Sequence, residues 1–153
     1  MDPAERTLSI TRSALRLCCN LGWAPVAEVP LPTGRRLDVL ALRPDGGFSA
    51  IEVKSCARDF LTDGKWGEYR DWCDRLYFAV DPDFPQGLLP ADTGLILADG
   101  FEAAIMREAP LHPLAPARRK SVLHRFATLA ATRLVVVQDP GARAAAWAAL
   151  RVE

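Results

Sequence analysis

The spacing of hydrophobic residues changes from a helical period to a strand period soon after the N-terminus. Four apolar side chains recur at helical spacing: Leu8, Leu15, Cys18 and Leu21. Asp2, Pro3 and Glu5 are typical of a helix start, with an acidic N-cap, proline at the first helical position and a capping-box glutamate. Gly22 then ends the helix, which the pattern predicts over residues 3–20.

Short apolar runs predict strands through the middle of the chain. The predicted strands are "APVAEVPL", "RRLDVLAL", "FSAIEVKS", "RLYFAV", "TGLILAD" and "EAAIMRE". The segment "RPDGG" predicts a hairpin between the second and third strands, and the last two strands are expected to pair across Gly100. A helix is predicted over "KWGEYRDWCDRL", where Trp66, Tyr69 and Cys73 recur at helical spacing. This order predicts a mixed α/β fold around a central sheet.

The C-terminal part of the chain is predicted to be helical and basic. Residues 117–133 form a basic amphipathic helix, and "ARAAAWAALR" a last helix, while "VVVQDPG" fits either a short strand or an extension. A length of 153 residues favours a single domain, 1–153.

Composition and residue spacing argue against a secreted, a membrane-spanning and a zinc-binding protein. There is no secretory signal, and the apolar run "LAATRLVVV" is too short for a membrane span, so we expect a cytoplasmic protein. The four cysteines and two histidines lack the spacing of a zinc site. Residues 38–83 carry ten acids against six bases, whereas residues 101–153 carry eight bases against four acids. An acidic centre with basic flanks suits a cation-binding site beside a polyanion, although a chance fluctuation explains it equally well.

The hairpin brings candidate catalytic residues together. With a two-residue loop Asp38 lies opposite Val53, and with a three-residue loop it lies opposite Glu52. Neighbouring strands are about 5 Å apart, so the carboxylates of Asp38 and Glu52 can share one cation. Oxygen ligands suit Mg²⁺ or Mn²⁺, and Lys54, two residues on from Glu52 and on its face, can orient a water and stabilise a phosphate. The three residues thus indicate phosphodiester hydrolysis. The alternative is a buried salt bridge of Lys54 with Glu52 or Asp38.

This arrangement resembles the PD-(D/E)XK nuclease superfamily, whose αβββαβ core carries Asp on the second strand and Glu-x-Lys on the third. Leu37 precedes Asp38 here in place of the proline of the motif. More narrowly, the sequence resembles the MmcB-like DNA-repair family over about residues 5–133, which leaves 134–153 as a C-terminal extension. The segments that carry this resemblance are "EVPLPTGRRLDVLAL", "IEVKSCARDFLTDGKWGEYRDWCDRLYFAV", "PADTGLILAD" and "REAPLHPLAPARRKSVLHRFA". The resemblance implies a restriction-endonuclease-like fold and a role in DNA repair or damage-associated mutagenesis.

Other residues are candidates for supporting roles. Glu28 is the candidate for a third metal-binding acid, since its strand should neighbour that of Asp38. Its place in the sequence fits an ordinary exposed strand residue equally well. Asp63 and Asp59 could approach a metal, although helix N-capping is the commoner role for Asp63. Ser55 could hold a phosphate or simply end its strand. The candidate DNA contacts, each of which also fits an ordinary structural or solvated role, are Arg35, Arg36, Ser55, Lys65, Tyr69, Arg118, Arg119 and Lys120.

Three functions from different classes remain open at this point. The first is a Mg²⁺-dependent DNA endonuclease that acts in repair, with DNA as its partner and dimerisation as an option for cutting both strands. The second is a catalytically silent module that keeps the nuclease fold and binds DNA or a repair protein. The third is a structural or interaction protein with a salt-bridged hairpin. Metal binding separates the third from the others, and cleavage separates the first from the second.

Overall fold

The computed structural model describes residues 1–151, and the side chains of residues 1–148. The chain divides into two compact units, Met1–Leu114 and Ala115–Glu153. The single domain expected from chain length stays a prediction. Along residues 1–151 no helix is both long enough and apolar enough to cross a membrane.

The first unit contains one long helix and a six-stranded mixed sheet, as the sequence predicts. Helix α1 spans Pro3–Asn20. The strands are β1 (Ala24–Pro30), β2 (Arg36–Leu42), β3 (Phe48–Val53), β4 (Arg75–Val80), β5 (Gly94–Ala98) and β6 (Ala103–Arg107). The short helix α2 (Ala57–Thr62) and a 3₁₀ segment (Trp66–Trp72) connect β3 to β4, and a 3₁₀ turn (Gln86–Leu88) precedes β5.

The strands lie in the sheet in their order along the chain, from β1 to β6. The first three strands are antiparallel to one another, β3, β4 and β5 are parallel, and β6 is antiparallel to β5. The carboxyl ends of β3, β4 and β5 therefore share one edge of the sheet. This is the mixed, helix-flanked sheet expected of a restriction-endonuclease-like core.

Helix α1 begins and ends at the residues that its capping signals indicate. The Asp2 carboxylate accepts a hydrogen bond from the Glu5 backbone, and the Glu5 side chain accepts one from the Asp2 backbone, which completes the capping box. Gly22 follows the helix with φ of 76°, a left-handed conformation that glycine adopts without strain.

The two faces of the sheet are covered differently. On one face, the apolar side of α1 packs into a core with alternate residues of the central strands, among them Ile51, Val53 and Tyr77. On the other face, Phe78 is contacted edge-on by Phe60 at 5.5 Å and by Trp66 at 5.6 Å between ring centroids. Because side chains alternate along β3, Glu52 lies on this second face, the side of α2 and the 3₁₀ segment.

Two sequence predictions in this region need correction. The segment "KWGEYRDWCDRL" was expected to be an α-helix, but it forms a 3₁₀ helix over Trp66–Trp72 that leads directly into β4. Helix α2 was not predicted, because it has only six residues and none of them is fully buried, which is too short a segment to show a helical period. Tyr69 and Trp72 of this segment are buried, so both are core residues.

The second unit consists of two helices joined by a 3₁₀ turn at Pro140–Ala142. Helix α3 spans Pro116–Gln138 and α4 spans Arg143–Arg151. The alternative of a strand over "VVVQDPG" is wrong, because residues 135–138 continue α3 by one more turn. The helix predicted over residues 117–133 is thus confirmed and longer than expected.

Candidate active site at the β2–β3 hairpin

The hairpin adopts the second of the two predicted registers, the one with a three-residue loop. The Gly46 amide donates to the carbonyl of Arg43 at 2.9 Å, and Gly46 takes φ of 85°. Val39 pairs with Ile51 across the strands, so the next position outward sets Asp38 opposite Glu52. The structure therefore brings the two predicted carboxylates together on one face.

Backbone amides hold both carboxyl groups in place. The amide of Val53 donates to Asp38 Oδ2 at 2.8 Å, and the amide of Asp38 donates to Glu52 Oε1 at 3.0 Å. Neither carboxyl group is free to rotate away, so the pair is preorganised.

Burial makes the pair costly to ionise fully. Glu52 is only 3% exposed. Loss of water, followed by the negative charge of Asp38, raises the pKa of Glu52 to about 9. Burial also raises the pKa of Asp38. Without a cation the two carboxyl groups hold a proton between them at neutral pH, whereas a divalent cation would favour the doubly ionised form. The oxygen donors of Asp38 and Glu52 therefore fit Mg²⁺ or Mn²⁺.

Lys54 completes the predicted triplet, with an ion-pair partner that the sequence did not predict. Its Nζ lies 2.8 Å from Asp63 Oδ2, and its side chain is 7% exposed. Burial disfavours the ammonium, but the hydrogen bond and charge of Asp63 outweigh it and raise the pKa of Lys54. Burial also disfavours the Asp63 carboxylate, yet the hydrogen bond from Lys54 lowers the pKa of Asp63 overall. In the described part of the chain, the partner of Lys54 is thus neither Glu52 nor Asp38.

An open cleft of about 590 Å³ lies beside Lys54. Its lining is rich in charge and comprises Arg35, Lys54, Asp59, Thr62, Asp63, Gly64 and Lys65. Three of these side chains are cationic and two are carboxylates. The cleft is polar, and its cations are of the kind that contact phosphates.

Arg35 is tied into the same cluster by ion pairs. Its guanidinium lies 3.1 Å from Glu68 Oε2 and 3.6 Å from Asp63 Oδ1. Tyr69 is buried, and Lys65 is exposed at the rim of the cleft. An α-helix would place Lys65 and Tyr69, four positions apart, on one face, but this segment is a 3₁₀ helix, in which positions four apart do not share a face.

Glu28 is the predicted site residue that the structure keeps apart from the carboxylate pair. It lies in register with Asp38, between the pairs Ala27–Val39 and Val29–Leu37, but its φ of 51° departs from strand geometry. Its side chain is 72% exposed and lies 3.9 Å from Arg36. Among the described side chains, no three His, Cys, Asp or Glu residues form a group that could hold a metal.

The remaining candidates lie at the ends of β2 and β3 or in the second unit. Ser55 is buried just beyond the end of β3, which fits its role as a strand end. Arg36 is exposed at the start of β2. Arg118, Arg119 and Lys120 lie in the first turns of α3, in the second unit.

Asp63 is the residue whose place the sequence reasoning missed. N-capping was expected for it, but it follows the last residue of α2, at the C-cap position. The N-cap of α2 is Cys56 and that of the 3₁₀ segment is Lys65. A sequence signal existed, because a buried lysine requires a carboxylate partner and Asp63 is one of the first two acids that follow Lys54 in the sequence.

The fold and the site define a mixed α/β protein with a preorganised carboxylate pair and a lysine at one edge of its sheet. Comparison with known proteins gives the family. A model of the family described as "DNA repair protein MmcB-like" matches residues 2–141, and the chain belongs to this MmcB-like family. The solved structure of the SPO1766 protein of unknown function from Silicibacter pomeroyi is similar, at 44% identity and a TM-score of 0.83. That match covers 92% of this chain and 94% of the other. No curated protein matches.

Proposed function

We propose that this DNA-repair family member is a metal-dependent nuclease that hydrolyses DNA phosphodiester bonds. The observation that carries the proposal is the arrangement of Asp38 and Glu52, face to face on adjacent strands and each fixed by a backbone amide at 2.8–3.0 Å. Such burial of two carboxyl groups is unfavourable unless a cation or a proton lies between them. Lys54 follows at the same edge of the sheet, beside a cleft lined by cations.

Different residues of the site would bind the metal, the reacting phosphate and the neighbouring phosphates. Asp38 and Glu52 would hold Mg²⁺ or Mn²⁺ between them, and such an ion supplies an acidified water and neutralises charge on a phosphate. The Lys54 ammonium, held by Asp63, is placed to hydrogen-bond a phosphate oxygen or the attacking water. Arg35 and Lys65 line the cleft next to it and would contact neighbouring backbone phosphates.

A second candidate is a silent module that binds DNA or a repair partner with the same fold. The observation that favours it is the position of Glu28, whose side chain is exposed and paired with Arg36 instead of facing Asp38 and Glu52 as a third ligand. Two carboxylates can hold Mg²⁺ with several waters, which keeps the nuclease the better candidate.

The two candidates differ in one measurable product. End-labelled duplex, single-stranded and branched DNA are incubated with the purified protein and Mg²⁺ or Mn²⁺, and in parallel with a chelator. Fragments that form only with the metal support the nuclease. Binding of DNA by gel shift without fragments on any substrate supports the silent module, and the substrate that is cut best indicates the repair step.

A further inference from the structure

Asp63 contacts two of the cations that line the cleft. Its Oδ2 lies 2.8 Å from Lys54 Nζ, and its Oδ1 lies 3.6 Å from Arg35 NH1. A single carboxylate thus joins the lysine at the end of β3 to the arginine that precedes β2. The side chain of Asp63 is 15% exposed, so solvent screens these contacts only in part.

The backbone around Asp63 is anchored on both sides. Its own amide donates to the carbonyl of Phe60 at 3.2 Å, and its Oδ1 accepts the amide of Lys65 at 3.3 Å. Phe60 and Trp66, which flank this stretch, both pack edge-on against Phe78 of β4. The sheet therefore fixes the carboxylate, and the carboxylate in turn restrains the flexible lysine chain.

We infer that Asp63 is a positioning residue, whose carboxylate holds the Lys54 ammonium and the Arg35 guanidinium in place to meet a DNA phosphate. A lysine side chain has four rotatable methylene groups and loses much rotamer entropy when it is ordered. Because the ion pair orders the ammonium before substrate arrives, that entropy is not lost on binding. The inference rests on the proposed nuclease function for its kinetic consequence, but the contact itself is independent of that function.

The chain offers a matched control for the Asp63 variants. Asp81 forms an ion pair with Arg6 at 2.6 Å, and its side chain is 17% exposed, close to the value for Asp63. Asp81→Asn therefore removes a similarly close and similarly buried carboxylate charge that follows β4 and pairs with Arg6, not with Lys54 or Arg35. Asp63→Asn removes the charge with little change of shape, and Asp63→Glu keeps the charge but displaces it by one methylene group.

The first readout is the ammonium group itself, observed by NMR in protein labelled with ¹⁵N-lysine. The chain has three lysines, Lys54, Lys65 and Lys120, and the last two are exposed. Only an ammonium held in a buried ion pair exchanges its protons slowly enough to be observed. We expect one slow signal, absent from Lys54→Arg and from Asp63→Asn and retained in Asp81→Asn. A signal that survives in Asp63→Asn overturns the inference.

The second readout is the kinetics of DNA cleavage. Asp63→Asn is expected to lower kcat by about ten-fold to a hundred-fold, the cost of a misplaced catalytic group, with KM within about three-fold of the wild-type value. Asp63→Glu should recover part of kcat, and Asp81→Asn should match the wild type. Equal kcat for Asp63→Asn and the wild type overturns the inference while the nuclease stands. If the wild type cuts no DNA, the proposed function fails, and the Lys54 signal alone decides whether Asp63 positions the ammonium.

Discussion

Asp38 and Glu52 hold each other in place across the β2–β3 hairpin. The amide of Asp38 donates to the carboxyl group of Glu52, and the amide next to Glu52, that of Val53, donates to the carboxyl group of Asp38. The backbone that positions each acid is therefore the strand carrying the other. Any change in hairpin register would break both contacts at once, so the three-residue loop at residues 44–46 is part of the site.

Metal binding should depend on the facing acids and not on Glu28. Asp38→Asn or Glu52→Gln removes one of two anionic ligands, so we expect the affinity for Mn²⁺ to fall by about ten-fold or more. Glu28→Gln is the control, because that side chain is exposed and paired with Arg36. Isothermal titration calorimetry measures all three. Equal weakening by Glu28→Gln would show that Glu28 joins the site as a third metal-binding acid.

The stability of the metal-free protein should fall as pH rises. The pKa of Glu52 is raised from 4.5 to about 9 in the folded state, so the folded protein binds the proton more tightly than the unfolded chain. This contribution is fully present below the unfolded value near 4.5 and is lost as pH rises through 9. We expect urea unfolding in the presence of a chelator to show this trend.

The variant Glu52→Gln tests the assignment of that pH dependence. Glutamine carries no charge at any pH, so the variant should be at least about 1 kcal/mol more stable than the wild type at pH 8, with a smaller difference at acidic pH. Asp81→Asn serves as a control for the loss of an acid elsewhere. If the free energy of unfolding changes with pH by the same amount in the wild type and in Glu52→Gln, the buried pair does not hold a proton.

Asp74 is expected to be essential for the stability of the first unit. Its buried carboxylate accepts the amide of Phe48 at 2.7 Å and that of Leu114 at 2.8 Å. Asp74→Ala leaves both amides without this acceptor, at a cost of about 1–3 kcal/mol for each buried group. Chemical denaturation measures the loss. A change below about 0.5 kcal/mol, typical of surface positions, would show that water replaces the carboxylate.

Lys65 should contribute to DNA affinity through charge alone. It is exposed at the rim of the cleft, so Lys65→Gln is expected to reduce the salt dependence of single-stranded DNA binding by about 0.7 in log–log slope. Fluorescence anisotropy at several salt concentrations, with a chelator present, measures the slope. Arg70→Gln is a control, since Arg70 pairs with Asp92 and is not among the residues that line the cleft. The same slope change in both variants would contradict a local phosphate contact.

The sequence predicts the sheet well because its signals are local and strong. Each strand is a short apolar run, and the "RPDGG" turn sets the pairing that brings Asp38 to Glu52. Helix α1 is equally predictable from its capping box and from Gly22. In each of these elements the apolar residues follow the spacing of a single type of secondary structure, so no tertiary information is needed to identify them.

The parts that the sequence does not predict depend on packing rather than on pattern. Helix α2 has only six residues and none of them is fully buried, so the sequence shows no helical period there. Glu28 lies in register with Asp38, but its φ of 51° cannot be inferred from strand alternation. The ion pair of Lys54 with Asp63 joins residues nine positions apart, and only the fold of the intervening loop selects Asp63 over Asp59.

The most direct test of the account is cleavage of labelled DNA by the wild type beside Glu52→Gln and Glu28→Gln, all purified in the same way and assayed with Mn²⁺. The account predicts fragments from the wild type and from Glu28→Gln, and none from Glu52→Gln. Equal cleavage by all three proteins would assign the activity to a contaminant or to another site. No cleavage by any of them, with metal still bound by the wild type, would contradict the nuclease and leave the binding module.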